Sequence, residues 1–322
     1  MTQKPVILIA LADDALSTGQ LQEVERIAPD MQVVVSRDRS EIESHLADIE
    51  IAVGAFPRDL IRSAPRLKWF QQWSAGADWL LKDPETAAHD FILTNASGVH
   101  AVPISEHILA YLFAFARDLP TAFREQQNSK WRDLTKNVFE LAGKTMLLIG
   151  VGRIGERTAQ IASGIGMNVI GVRRNSTEDV SGVSSMHLYT DLPDLLGQAD
   201  FVVLTVPYTN ETHHMITSTE FAFMKPGSFI INIGRGGTID ETALLTALND
   251  GHLAGAGLDV FEEEPLPEDS PFWSHEKVLI TGHYSGSTPE YDKRGFEIFL
   301  DNLSRYRDNQ ELRNVVDKTR GY

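Results

Sequence analysis

No cysteine occurs anywhere in the 322-residue chain. That excludes disulfide staples, thiolate chemistry and cysteine-ligated zinc. Basic residues are scarce. The 29 Lys and Arg against 45 Asp and Glu leave a net charge of −16. An acidic surface argues against nucleic acid and anionic membrane as partners. Long hydrophobic runs are also missing. The most apolar helical stretch, Ile108 to Ala116, falls far short of a bilayer span and reads as a buried helix. The apolar run in the first ten residues is too short for a secretion signal, and Asp13-Asp14 follow it. The expected location is therefore the cytoplasm. No low-complexity segment and no repeat of solenoid period interrupts the chain.

What is present is an ordinary globular composition, 42% hydrophobic, in a chain longer than one core usually supports. Two domains are expected. The stretch that organises the rest is Lys144 to Gly155, KTMLLIGVGRIG. Met146 to Ile149 reads as a buried strand, and a helical pattern follows from Glu156. Between them stand Gly150, Gly152 and Gly155 in G-x-G-x-x-G spacing. The first glycine permits a tight turn, the second lets backbone approach a pyrophosphate, and the third lets helix and sheet pack closely. The helix N-terminus then offers unpaired N–H groups to phosphate. The motif predicts dinucleotide binding.

Strand and helix patterns alternate on both sides of the motif. Strands are expected at Val6–Leu11, Met31–Val35, Ile51–Val53, Lys68–Phe70 and Phe91–Thr94, with helices at Leu16–Ile27 and Glu41–Leu46. Asn95 to Pro103 reads as a loop, with Ser105 capping a long apolar helix from Glu106. Lys136 to Gly143 leads into the motif. Beyond it, strands are expected at Asn168–Val172, Phe201–Val206, Ser228–Ile233, Ala254–Val260 and Lys277–Ile280. Short helices are expected over Leu192–Leu196 and after Asp240. Ser287 to Glu290 reads as a capping box opening a last helix that carries Phe296, Phe299, Leu300, Leu303 and Tyr306 on one face. Val315-Val316 adds a short strand. The alternation predicts parallel α/β sheets. A cofactor domain needs no such last helix, which is assigned to the first unit. The expected division is residues 1–98 with 288–322 as a substrate domain and residues 99–287 as an inserted cofactor domain. The chain then crosses twice, near Val99 and near Ser287.

Three groups stand at successive strand ends beside the cofactor crevice. Arg235 follows Ile231-Asn232-Ile233-Gly234, and its planar fork suits a carboxylate. Asp259 precedes the acidic run Glu262-Glu263-Glu264, and His283 ends the strand after that. A histidine with a carboxylate partner makes a general acid–base unit. Ser74-Ala75-Gly76 follows the fourth strand of the first unit, where open α/β sheets place ligands. His213-His214 has no third ligand in view and is read as solvent-facing, so no metal is expected.

Together these residues carry a resemblance. The stretches GVGRIG (Gly150–Gly155), VPYTNET (Val206–Thr212), INIGRGGTIDE (Ile231–Glu241), GLDVFEEEPLP (Gly257–Pro267) and TGHYSGST (Thr281–Thr288) resemble the D-isomer-specific 2-hydroxyacid dehydrogenase family. The segments Ser74–Asp78 and Ala96–Ala101 also match, so the resemblance covers almost the whole chain. It implies a Rossmann-type doubly wound parallel-sheet domain inserted in a smaller flavodoxin-like substrate domain, an interdomain cleft, and a homodimer joined through the cofactor domains. It implies that Arg235 binds substrate, that Glu264 is the catalytic carboxylate and that His283 is the acid–base residue. Ser74, Ala75 and Gly76 match the loop that holds the substrate carboxylate. Cofactor contacts are implied at Gly150, Val151, Gly152, Arg153, Ile154 and Gly155, and at Val206, Pro207 and Thr212. Further ones are implied at Ile233, Gly234, Arg235, Asp259, His283 and Gly286. One departure is Gly282, where the family usually has proline.

The implied reaction is reduction of a small 2-oxo acid to the D-2-hydroxy acid by hydride from a nicotinamide cofactor. Glyoxylate, hydroxypyruvate and larger 2-oxo acids all remain open, with Phe56, Trp73, Trp273 and Tyr284 as candidate lining residues. Short-chain dehydrogenases need Tyr-x-x-x-Lys, which no tyrosine here provides. Some relatives act as cofactor-sensing corepressors, which is the alternative reading. The cofactor itself is read from the end of the second Rossmann strand, where an acidic residue binds the ribose hydroxyls of NAD. Arg173, eighteen residues beyond Gly155, and Arg174 stand there instead, and no acid follows until Glu178. Guanidinium groups suit a 2′-phosphate. NADP(H) is therefore expected in preference to NAD(H), with NAD(H) use still possible.

Overall fold

In a computed structural model of the chain, residues 4–12, 14–131 and 138–321 are described. Asp13 and the beginning of the Lys136–Gly143 approach lie outside them. The chain forms two compact units, Met1–Val99 with Thr288–Tyr322, and His100–Ser287.

The first unit holds five parallel strands, β1 (Val6–Ala10), β2 (Gln32–Val35), β3 (Ile49–Gly54), β4 (Trp69–Gln72) and β5 (Ile92–Thr94), in the order β2-β1-β3-β4-β5. That is the flavodoxin-like doubly wound order. The helices α1 (Thr18–Ile27), α2 (Arg39–His45) and α3 (Pro84–Ala88) connect them. Strand β1 is apolar at every position because both its faces are covered. Val6 and Leu8 enter one core, Ile7 and Ile9 the other. The C-terminal helix, Tyr291–Arg307, sets Phe296, Phe299 and Leu303 into that second core beside Trp69. Its apolar stripe is what returns the chain to this unit.

Some local expectations fail here. The Ser287–Glu290 capping box does not form. The helix starts at Tyr291, Glu290 makes no side-chain cap, and Thr288 Oγ1 accepts the Glu290 N–H at 3.3 Å. Val315 makes only an isolated antiparallel bridge to Thr94. Phe56 and Trp73 are buried within the first unit's own cores. Trp73 is fixed there by a 2.9 Å hydrogen bond from its indole N–H to Asp292, and Gly295 leaves room for its ring. They line no site.

The second unit begins with α4 (Ala101–Ala116) and α5 (Leu119–Gln127). Its seven parallel strands are β6 (Thr145–Ile149), β7 (Asn168–Arg173), β8 (Ser185–Leu188), β9 (Phe201–Leu204), β10 (Ser228–Asn232), β11 (Leu253–Leu258) and β12 (Val278–Ile280). Their order is β12-β11-β10-β9-β6-β7-β8. The chain runs outward from β6 through β7 to β8, then returns across the sheet to β9. The reversal leaves a crevice beyond the carboxyl ends of β6 and β9, where doubly wound sheets bind ligands. The helices α6 (Arg153–Gly164), α7 (Leu192–Leu196), α8 (Ser218–Phe223) and α9 (Glu241–Asn249) cover the faces.

Two helix starts differ from expectation. Helix α4 starts at Ala101, within the segment read as a loop, and is not capped by Ser105. Pro103 sits in its first turn, where a missing N–H removes no intrahelical bond. Ser105 is buried, and its hydroxyl donates to the Val102 carbonyl at 2.8 Å. Helix α6 starts three residues ahead of Glu156, with Gly152 as its N-cap. The first turn therefore belongs to the glycine motif itself.

Candidate active site

Strand register places the glycine loop. Ile149 of β6 pairs with Leu204 of β9, so Gly150 and Thr205 are the next residues out on each strand. Gly150 has φ +97°, and a Cβ there would lie 2.8 Å from the Val206 side chain. Only glycine adopts that conformation in that space without strain. The Thr205 hydroxyl donates to the Gly150 carbonyl and fixes the turn. At Gly155 a Cβ would lie 2.6 Å from the Gly150 oxygen, so helix and loop pack backbone to backbone. At Gly152 a Cβ would meet nothing within 4 Å. Open space thus stands directly at the α6 N-terminus, where the first N–H groups have no intrahelical partner. These residues fit a dinucleotide pyrophosphate.

The neighbouring strand ends complete the rim. Arg173 is the last residue of β7, and its Nε donates to the Val151 carbonyl at 2.6 Å. That bond folds Arg173 onto the glycine loop. Arg174 donates to Glu211 Oε2 at 2.6 Å. Glu211 sits in the Val206–Thr212 loop, which Thr212 closes with a 2.8 Å hydrogen bond to the Pro207 carbonyl. Beyond β10, Asn232 ties the next turn. Its side-chain oxygen accepts the Gly234 N–H at 3.0 Å and its amide donates to the Arg235 carbonyl at 3.0 Å. Gly234 must be glycine, since a Cβ would lie 2.7 Å from the Val206 oxygen. Arg235 Nη1 donates to the Gly234 carbonyl at 2.8 Å, which braces the base of the guanidinium.

His283 and Glu264 meet. His283 Nδ1 lies 2.6 Å from Glu264 Oε2, and both side chains keep solvent exposure. The other carboxylate oxygen, Oε1, accepts the Phe261 N–H at 3.0 Å, so the acid is anchored to its own loop. With Nδ1 committed to a carboxylate, Nε2 is the ring atom left to exchange a proton. Gly282 precedes His283 in a hydrogen-bonded turn. A Cβ there would meet nothing within 4 Å, and the His283 N–H donates to the Asp259 carbonyl at 2.8 Å.

Asp259 turns inward. It is fully buried, and its carboxylate accepts the Thr281 hydroxyl at 2.5 Å and the N–H groups of Tyr284 and Ser285 at 3.1 and 3.0 Å. His100, at the start of α4, places Nδ1 3.0 Å from the Gly286 carbonyl. Burial, with the Arg235 charge adding to it, pushes the His100 pKa down and favours its neutral form. His100, His107, Tyr111 and Thr281 were not picked out in the sequence. A visible signal existed for one of them: Tyr111 is a hydroxyl inside the most apolar helix of the chain.

In the first unit, Ser74, Ala75 and Gly76 follow β4. Gln72 donates to the Ser74 and Gly76 carbonyls at 3.1 and 2.6 Å, and Asn95 donates to the Ala75 carbonyl at 2.7 Å. The carbonyl side of this loop is thereby engaged. Trp273 and Tyr284 are half-exposed. His213 and His214 stack on each other, with partners in Tyr208 and Glu262. Among the described residues no cluster of three His, Asp or Glu is arranged to hold a metal ion, and no helix is long and apolar enough to cross a membrane.

Known proteins match this arrangement. Residues 109–285 match the model of the D-isomer specific 2-hydroxyacid dehydrogenase NAD binding domain. The chain is 32% identical over 312 residues to the D-3-phosphoglycerate dehydrogenase of Methanocaldococcus jannaschii, covering 95% of this chain and 59% of that protein. It thus spans well under two thirds of that relative's length. It is 31% identical to a glyoxylate reductase of Korarchaeum cryptofilum, covering 90% of this chain and 87% of the relative. Among solved structures, an NADPH-dependent glyoxylate/hydroxypyruvate reductase from Sinorhizobium meliloti, in complex with NADP and sulfate, superposes with a TM-score of 0.83. It is 30% identical and is covered in full, over 99% of this chain.

Proposed function

Because the chain belongs to the D-isomer specific 2-hydroxyacid dehydrogenase family, we propose that it reduces a small 2-oxo acid to the D-2-hydroxy acid, with NADPH as preferred donor. The observation that carries this reading is the 2.6 Å contact between His283 Nδ1 and Glu264 Oε2. A reduced nicotinamide, when bound, supplies the hydride that goes to the carbonyl carbon. The glycine loop from Gly150 to Gly155 and the α6 N-terminus hold its pyrophosphate. Arg235 binds the substrate carboxylate through its fork. His283 gives a proton from Nε2 to the carbonyl oxygen, while Glu264 holds the ring and balances the imidazolium charge. Oxidation of the hydroxy acid runs the same transfer backwards and needs the neutral ring.

The preference for NADPH rests on Arg173 and Arg174 at the end of β7, where an acid would repel a 2′-phosphate. The NADPH dependence of the Sinorhizobium meliloti neighbour is consistent with it. Pairing of two copies through the second unit is supported by Phe113, Leu119, Phe123 and Trp131, which are exposed on or beside α4 and α5. Light scattering at micromolar concentration should give twice the chain mass. A steady-state screen of glyoxylate, hydroxypyruvate and larger 2-oxo acids with NADPH and NADH tests the whole reading. Turnover of at least one acid, faster with NADPH, is expected. No turnover of any acid would leave a corepressor-like binding protein as the better account.

A further inference from the structure

His283 adopts a backbone conformation uncommon for any residue but glycine. Its φ is +53°, in the left-handed region that residues with a Cβ seldom adopt. Such a conformation persists only where the surroundings over-determine it. Here the determinant is one buried carboxylate. Asp259 takes the backbone N–H groups of Tyr284 and Ser285 on its two oxygens, and its own carbonyl takes that of His283. Three consecutive N–H groups of the histidine loop thus converge on a single residue.

Asp259 is in turn held from below. The Thr281 hydroxyl donates to Oδ1 at 2.5 Å, so its single proton is spent. Its oxygen therefore accepts from the Tyr111 hydroxyl at 2.6 Å and from His107 Nε2 at 3.0 Å. Both of those groups stand on α4, one turn apart. The Tyr111 hydroxyl also lies 3.1 Å from the Leu258 carbonyl. Its ring lies against Gly257, where a Cβ would come within 2.8 Å of it. Burial keeps the Tyr111 phenol protonated, so it can donate, and pushes His107 toward its neutral form. His107 also meets the rings of Tyr111 and Tyr284 edge-on.

We propose that Tyr111, acting through Thr281 and Asp259, is a positioning residue that holds the His283 loop in its left-handed conformation. Helix α4 is then a rigid support for the acid–base residue as well as a core element. The inference rests on the acid–base role given above to His283. It adds that the role depends on a buried hydroxyl one helix away from the histidine loop.

The test uses variants of the intact protein. Tyr111→Phe keeps the ring against Gly257 and removes the hydroxyl. Thr281→Val keeps the volume and breaks the link, and Thr281→Ser restores it. Loss of one such bond should lower kcat about tenfold in Tyr111→Phe and in Thr281→Val. KM for the 2-oxo acid and Kd for NADPH should stay within about twofold of the parent. Thr281→Ser should recover most of the lost kcat, and Tyr111→Phe with Thr281→Val should lose little more than either alone. An unchanged kcat in Tyr111→Phe would overturn the proposal. So would a parallel loss of kcat, cofactor affinity and melting temperature, which would mark a purely structural residue. His283→Ala separates the two levels. If it leaves turnover intact, the acid–base assignment fails; if it abolishes turnover while Tyr111→Phe is silent, only the positioning role fails.

Discussion

At the scale of single residues, the account turns on what each charged group is already bonded to. Arg235 has its guanidinium braced on the Gly234 carbonyl, and the Asn232 side chain fixes the turn beneath it. Lysine keeps the charge but cannot reproduce a planar fork. Arg235→Lys should lower kcat/KM for the 2-oxo acid by one to two orders of magnitude, roughly the worth of one charge-assisted bond, and leave NADPH affinity near the parent value. Equal losses in both would remove Arg235 from the substrate site. Arg173 and Arg174 divide their work differently than their adjacency suggests. Arg173 is held by its Nε on the Val151 carbonyl, while Arg174 holds Glu211 across a surface pair of the kind worth about 0–1 kcal/mol. A 2′-phosphate must compete with that carboxylate for Arg174. Glu211→Gln should therefore lower KM for NADPH by about two- to fivefold. Replacing Arg173 and Arg174 together by Ala should raise it strongly. Neither change should move KM for NADH much, and equal shifts with the two cofactors would contradict the assignment.

At the scale of elements, the glycine turn and α4 carry the risk. Gly155 permits α6 to meet the Gly150 carbonyl, and neither partner is a flexible side chain. Gly155→Ala should cost about 1–3 kcal/mol of stability, the range for overpacking, and weaken NADPH binding with it. Stability lost with cofactor affinity untouched would separate packing from phosphate binding. Helix α4 bears His100 and His107, both held below the ordinary value of 6.5 mainly by burial. As pH falls through 6.5 the unfolded chain takes up these protons before the folded one does. The stability these groups contribute is thus complete above about pH 6.5 and falls as the solution is acidified toward their folded values. The melting temperature of His107→Gln should fall less than the parent's over that interval. Identical curves would show that His107 is not desolvated as described.

The elements also show what a sequence can and cannot disclose. Strands such as Val6–Ala10 and the Met146 to Ile149 part of β6 were legible because a buried strand is apolar throughout. So was the glycine motif, whose residues answer purely local demands of turn and close approach. The start of α4 was not legible. Pro103 looked like loop chemistry, yet a first turn tolerates it, and Ser105 looked like a cap but is bonded one turn back. The edge strand β8 carries one exposed and three half-buried residues and gave no apolar run. The pairing of His283 with Glu264 was carried by likeness to known motifs. The hydrogen bonds from Tyr111 through Thr281 to Asp259 join residues up to 170 positions apart, and spacing alone cannot reveal them.

At the scale of the whole molecule, an acidic, cysteine-free chain builds two parallel-sheet units, the second inserted between the two segments of the first. The glycine loop, Arg235, Glu264 and His283 all belong to the inserted unit, and the Ser74–Gly76 loop belongs to the other. The central claim is that this assembly delivers hydride to a 2-oxo acid and produces the D-hydroxy acid. The most direct measurement is to supply NADPH deuterated at nicotinamide C4 together with a turned-over 2-oxo acid of three or more carbons, and to analyse the product. Both C4 positions should be labelled so that either face can transfer. The account predicts one deuterium on C2 of the D-2-hydroxy acid, lost together with turnover in His283→Ala. Product of the L configuration, or product without deuterium at C2, would contradict it.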